Sequence, residues 1–144
     1  MTKNEIKVPD VRTGGVYALI NTDSKKIYIG ESEDIRSRAK AHINLLKAGK
    51  HTNSKLQYDY NNGEKFEFAV LIEIPGGCST EKRLCAEDYY IECCRMRKIK
   101  LYNNESDKNT KDGFFILASR NDNALNGIIK EYKIHENRLL TNTR

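Results

Sequence analysis

Two short β-rich runs, Val16–Ile20 and Ile27–Ile29, stand six polar residues apart (Asn21–Lys26), and this spacing constrains the fold more than any other feature of the chain. A parallel crossover needs a dozen or more residues, so the two runs can pair only as an antiparallel hairpin. A third run alternates Phe66, Phe68, Val70 and Ile72 and ends at Pro75-Gly76-Gly77, which predicts a third strand over Phe66–Ile74. Between hairpin and third strand the period becomes helical. Ser32 reads as an N-cap with Glu33 and Asp34 in the first turn. Ile35, Ala39, Ile43 and Leu46 then make an apolar stripe that runs to about Ala48, with Gly49 as the stop. A short helix is predicted near Ser54–Tyr60, closed by Asn61-Asn62-Gly63. Thr80 reads as the cap of a second long helix reaching about Arg97.

Beyond these elements the pattern loosens. Asn103–Gly113 is polar and reads as a linker or mobile loop, and Phe114–Ala118 as a last strand or buried segment. From about Asn123 an amphipathic helix carries Leu125, Ile128, Ile129, Tyr132, Leu139 and Leu140 on one side. The expected class is α/β (α+β), with a small three-stranded antiparallel sheet flanked by helices. Residues 1–103 are expected to form the main domain, and 104–144 a linker and C-terminal strand and helix packed on it. A length of 144 residues suits one domain. No apolar run is long enough to span a bilayer, and the first ten residues lack a signal-peptide core, so the reading is a soluble, cytoplasmic protein. Cysteines at 78, 85, 93 and 94 match neither a zinc nor a disulfide spacing and read as free thiols.

Charge is segregated. The net formal charge is +5, and from Arg36 to Tyr58 there are six cations (Arg36, Arg38, Lys40, Lys47, Lys50, Lys55) and no acid. Such a surface gains from phosphate contact and counterion release, although a solvated face with no partner has the same composition. Sharper information comes from polar residues at positions a core would claim. His42 falls seven residues after Ile35 on the first helix, and Arg38 lies four before His42 on the shoulder of the same stripe. On the second long helix, Glu87 stands between Leu84 and Ile91 on the expected inner face, while Asp88 is expected to face outward. A carboxylate there must pair, bind a metal or be neutralised. Tyr17 and Tyr28 are expected across from one another in the hairpin, and Gly30 just after it leaves room for a close approach or makes a turn. One arginine, one histidine, one glutamate and two tyrosines are a set able to hydrolyse a phosphodiester, or to bind one without turnover.

These residues also carry a family resemblance. Gly15-Val16-Tyr17, with Tyr28-Ile29-Gly30 following so that the tyrosines are eleven residues apart, resembles the paired motif of the GIY-YIG nuclease superfamily. Arg38, His42, Glu87 and Tyr102-Asn103 follow in the family's order and spacing. The segments INTDSKKIYIG, GKHTNSKLQ and FEFAVLIEIP look like the catalytic domain of phage intron-encoded homing endonucleases. The resemblance implies that Glu87 holds a metal ion, Mg²⁺ with Mn²⁺ as a substitute, and that Arg38 stabilises phosphate charge. It implies Tyr17 as general base or water-orienting group with Tyr28 its partner, His42 beside the scissile phosphate, and Asn103 as a support. His51 matches a further histidine of the homing group. Gly30, His51, Lys40, Lys47, Lys50 and Lys55 are expected to contact DNA. Products carrying 5′-phosphate and 3′-hydroxyl ends are implied as well, in a bacterial or phage-infected cell.

Two departures accompany the resemblance. Glu31 stands where relatives carry a lysine or small polar residue, and is read as helping to cap the next helix; nothing after Asn103 resembles a DNA-recognition extension. A homodimer or a targeting partner would supply what is missing. A structure-specific repair or recombination nuclease, and a DNA-binding module of the same fold without turnover, are the alternatives.

Overall fold

The computed structural model describes residues 5–75, 80–104 and 122–136. Cys78, Phe114–Ala118, Leu139, Leu140 and the predicted linker beyond Asn104 lie outside the described residues. Three strands, β1 (Gly14–Asn21), β2 (Ile27–Ser32) and β3 (Phe66–Ile74), form an antiparallel sheet in the order β2-β1-β3. Helices α1 (Ile35–Ala48) and α2 (Ser54–Asn61) separate β2 from β3, and α3 (Thr80–Met96) and α4 (Asn123–Glu131) follow. Strand β1 is central and buried along its whole length, which explains why its sequence is nearly all apolar and does not alternate.

Alternation along the strands still decides which helix each side chain meets. Val16, Ala18, Ile20, Ile27 and Ile29 join Ile91, Cys93, Cys94, Leu125, Ile128 and Ile129 in one core, on the side of α3 and α4. Leu19, Leu46, Leu56, Phe66 and Tyr102 form a second core with α1 and α2, against which Tyr28 and Phe68 pack. The hairpin loop is held by Asn21, whose Oδ1 accepts from the amides of Asp23 and Ser24 and whose Nδ2 donates to the Tyr102 hydroxyl. Tyr102 in turn donates to Asp59 at 2.6 Å, so the loop, α2 and the segment after α3 are tied by one buried network. That segment covers the free edge of β2. Ile27 bonds to Lys100 and Tyr102 through the backbone, and the Asn103 side chain takes both backbone groups of Ile29 at 2.9 Å.

Four local expectations change. The N-cap of α1 is Asp34, whose carboxylate accepts from the Ser37 amide, and the first turn holds no acid. Ser32 instead ends β2 and accepts from the Asp34 amide, so the capping position falls two residues later. Tyr17 pairs with Gly30 and Tyr28 with Leu19, so the tyrosines are diagonal neighbours rather than opposite. The hairpin register runs through Ile20↔Ile27, and β2 continues to Ser32 with Gly30 inside it. Helix α4 stops at Glu131: Lys133 adopts a left-handed conformation and the Ile134 amide returns to the Ile129 carbonyl. Its Leu125, Ile128 and Ile129 are buried in the core, and Glu136 makes a buried pair with Arg97 at 2.7 Å. Cys85, Cys93 and Cys94 are free thiols, and burial pushes the Cys94 thiol up. No helix of the described residues is long and apolar enough to cross a membrane.

Candidate active site

The site is built around Tyr17. A register shift between Val16 and Tyr17 where β1 meets β3 sets the local twist of the strand at this residue. Its ring lies over Gly30, where an added Cβ would come within 2.4 Å of the Tyr17 hydroxyl oxygen. Gly30 is therefore required by the tyrosine ring itself, and because β2 runs on to Ser32 it makes no turn. Gly15 has an equally strict reason: with φ +154 a Cβ there would meet the Ile72 carbonyl oxygen at 2.0 Å.

Helix α1 turns His42 inward with Ile35, Ala39 and Leu46, as the spacing predicts. The Tyr17 hydroxyl is 2.7 Å from His42 Nε2, and His42 Nδ1 is 2.7 Å from His51 Nε2. The two imidazoles lie nearly coplanar, 19° apart with centroids at 5.0 Å, which is an end-to-end hydrogen-bonded arrangement. Tyr28 closes the group edge-on, 5.5 Å from His42 and 6.3 Å from His51 between ring centroids. His51 is fixed from behind. Its amide donates to Gln57 Oε1, its Nδ1 accepts from the Asn53 amide at 3.0 Å, and the Gln57 amide group donates to the Leu46 carbonyl and to Asn61.

Burial dominates the electrostatics. It pushes the Tyr17 phenol well above its ordinary range; Tyr28, Glu87 and Glu31 act the same way, and Arg38 opposes them without prevailing. The resting phenol is protonated. Burial, then His51 and Arg38, bring His42 down to about 3, and burial also lowers His51. Both imidazoles are neutral at neutral pH.

Arg38 is exposed on the flank of α1 and lines an open cleft of about 510 Å³ with Glu31, Ser32, Ser37 and Arg83. Glu31 is paired with Arg83 at 2.9 Å, so its carboxylate serves an arginine of α3 and not a helix cap. Arg83, held also by Thr80 and only 8% exposed, was not singled out by the sequence, although its spacing four residues before Glu87 places it on the same flank of α3. Glu87 is half-buried and close enough to act on Tyr17 by charge. Its neighbour Asp88 is 1% exposed, so the expectation of an outward Asp88 is reversed; the inner face of α3 is centred on Asp88 and Ile91, with Leu84 only half-buried. Asn103 clamps β2 beside Tyr28 and Gly30. Lys40, Lys47, Lys50 and Lys55 are all exposed. At about 100° per residue, Lys47 lies on the opposite flank of α1 from Arg38, and Lys40 shares that flank. Asn53 and Gln57, which hold His51, were also missed; the run Asn53-Ser54 at a helix start was the available signal.

Among the described residues no three His, Cys, Asp or Glu side chains gather as a metal-holding group. A single half-buried carboxylate fits Mg²⁺, a hard ion that keeps most of its waters and is completed by substrate phosphate oxygens. Glu87 is the residue that would hold it.

The sequence and the fold resemble those of known proteins. A family model described as the GIY-YIG catalytic domain matches residues 13–100, more than half of the chain, and the chain belongs to that family. Intron-associated endonuclease 1 of Enterobacteria phage T4 is 40% identical over 62 residues, which is 42% of this chain. The chain spans only 25% of that relative's length. A structure of the catalytic domain of the homing endonuclease I-TevI is similar at a TM-score of 0.56 and 28% identity, covering 64% of this chain and 100% of that one. A mutant of that catalytic domain gives 0.57 and 28%, over 68% and 98%. The antiparallel three-stranded sheet with flanking helices is the fold of this endonuclease class.

Proposed function

We propose that the chain is a homing-type DNA endonuclease that hydrolyses phosphodiester bonds with a divalent metal, Mg²⁺ or Mn²⁺, and leaves 5′-phosphate and 3′-hydroxyl ends. One observation carries the reading. Tyr28 of β2, Arg38 of α1 and Glu87 of α3 lie near enough to the Tyr17 hydroxyl to influence its ionisation, although they come from separate parts of the chain. Packing alone does not require these elements to bring an arginine, a glutamate and two tyrosines to one place.

In this reading Arg38, exposed at the cleft, takes the non-bridging phosphate oxygens and stabilises the charge that builds on them. Tyr17, in its phenol form, holds the attacking water in line, and Tyr28 flanks it. Asn103 keeps the β2 edge, and therefore Tyr28 and Gly30, in register. A metal bound by Glu87 would polarise the phosphate and neutralise charge at the leaving oxygen. Lys40, Lys47, Lys50 and Lys55, all exposed, give sequence-independent contact to the DNA backbone.

Nicking of supercoiled plasmid by wild type, Glu87→Ala and Arg38→Ala, with end-labelling of the products, tests this. Wild type is expected to nick with Mg²⁺ or Mn²⁺ and to leave labelable 5′ ends only after phosphatase treatment. Each variant is expected to be slower by about 10²–10³ while still shifting DNA in a gel. A wild type that shifts DNA yet never nicks it contradicts the enzyme reading and leaves a binding module.

A further inference from the structure

We propose that His51 is a positioning residue that fixes the direction of a hydrogen-bond chain running from the Asn53 amide through His51 and His42 to Tyr17, so that His42 donates to the tyrosine and the tyrosine's own proton points away from it. The inference rests on the nuclease reading above for its consequence, but the direction of the chain follows from the contacts alone.

A backbone N–H can only donate. The Asn53 amide faces His51 Nδ1 at 3.0 Å, so that nitrogen carries a lone pair. Asn53 cannot swing away: its side chain accepts from the Leu56 amide as the cap of α2 and donates to the Tyr102 carbonyl at 2.9 Å. Nor can the His51 ring flip, because the amide would then meet a carbon. A neutral His51 therefore has its proton on Nε2, the atom that faces His42 Nδ1 at 2.7 Å, and donates there. His42 Nδ1 is then an acceptor, and a neutral His42 carries its proton on Nε2, which faces the Tyr17 oxygen at 2.7 Å. Tyr17 accepts from His42, and its O–H is left to donate to another group. Charge supports the same assignment, since both imidazoles are buried and their pKa values are lowered.

Two consequences follow for the reaction. His42 has no lone pair free to take a proton from water, because one ring nitrogen is protonated and the other is occupied by His51; it is not the general base. Tyr17 presents a hydrogen to the substrate side, suited to a water oxygen or a phosphoryl oxygen. The second histidine thus sets the tautomer of the first.

Only three histidines occur in the chain, His42, His51 and His135, so ¹⁵N-edited NMR of labelled imidazoles reads the tautomers directly. The expected result in the wild type is the Nε2–H form at both His42 and His51; an Nδ1 proton on His42 overturns the proposal. Two variants then test the link to function. His51→Gln keeps an N–H donor toward His42. His51→Glu offers an acceptor, which forces His42 to the Nδ1–H form and turns the Tyr17 hydroxyl toward Nε2. The Glu variant is expected to lose about a hundredfold in kcat with little change in DNA affinity, and the Gln variant to recover most of the rate. Equal rates for the two variants overturn the positioning role. A wild type that cuts no DNA defeats the nuclease reading and with it the catalytic consequence, while the NMR result still decides the direction of the chain.

Discussion

On the face of the sheet covered by α3 and α4, Val16, Ala18, Ile20, Ile27 and Ile29 meet Ile91, Cys94, Leu125 and Ile128 in an aliphatic core. On the face covered by α1, the same two strands present Tyr17 and Tyr28 to a buried pair of histidines. Side chains alternate along a strand, so neighbours such as Val16 and Tyr17 serve opposite faces. One face is an aliphatic core; the other combines a smaller core with the tyrosines and histidines of the candidate site. A one-residue slip would exchange them, which is why the glycines that fix this register are as necessary as the reactive groups.

The strongest way to break the comparison is on the aliphatic side. Leu125→Ala removes a fully buried side chain and is expected to cost about 2–5 kcal/mol in denaturant unfolding, while cleavage per folded molecule stays unchanged. A lost turnover in the remaining folded fraction would show that the faces are not independent. Gly30→Ala probes the other side. Its Cβ overlaps the Tyr17 ring, so a stability loss of about 1–3 kcal/mol and a fall in rate of about a hundredfold are expected together. Wild-type turnover in this variant would remove Tyr17 from the account.

Acid should act on the polar face. His42 has its pKa lowered in the fold, from 6.5 to about 3, so the unfolded state binds the proton first. Its contribution is complete above pH 6.5 and is lost as pH falls toward 3, at a slope of about 1.4 kcal/mol per pH unit. Unfolding of wild type and His42→Gln between pH 7 and 5 checks this; identical slopes would contradict it. The smallest effect is expected at the surface. Lys55→Ala should weaken binding to all DNA sequences alike, by a few-fold, and reduce the salt slope by about 1, whereas Lys47→Ala on the far flank of α1 should change less.

Much of this molecule is readable in its residues. The three strands, the extents of α1 and α2, and the inward His42 follow from periodicity and turn chemistry. What could not be read depends on contacts between distant segments. The N-cap moved from Ser32 to Asp34 because β2 continues to Ser32 in pairing with Gly15. Asp88 faces inward because α3 is rotated relative to a stripe drawn through Leu84, and its hydrophobic and polar residues are too mixed to define a face. Glu31 found Arg83, a residue 52 positions away, and Asn21, Asp59 and Tyr102 assembled a buried network from three segments. The order of motif residues pointed to the candidate site, but the connection of His51 to Asn53 and Gln57 appears only once α2 is docked.

The most direct test of the account is the rate of plasmid nicking by Tyr17→Phe, read beside its melting temperature and DNA affinity. The account predicts a folded variant that binds DNA normally and cuts at least about a hundredfold more slowly, since only one hydroxyl is lost from the centre of the site. Cleavage at the wild-type rate would contradict it.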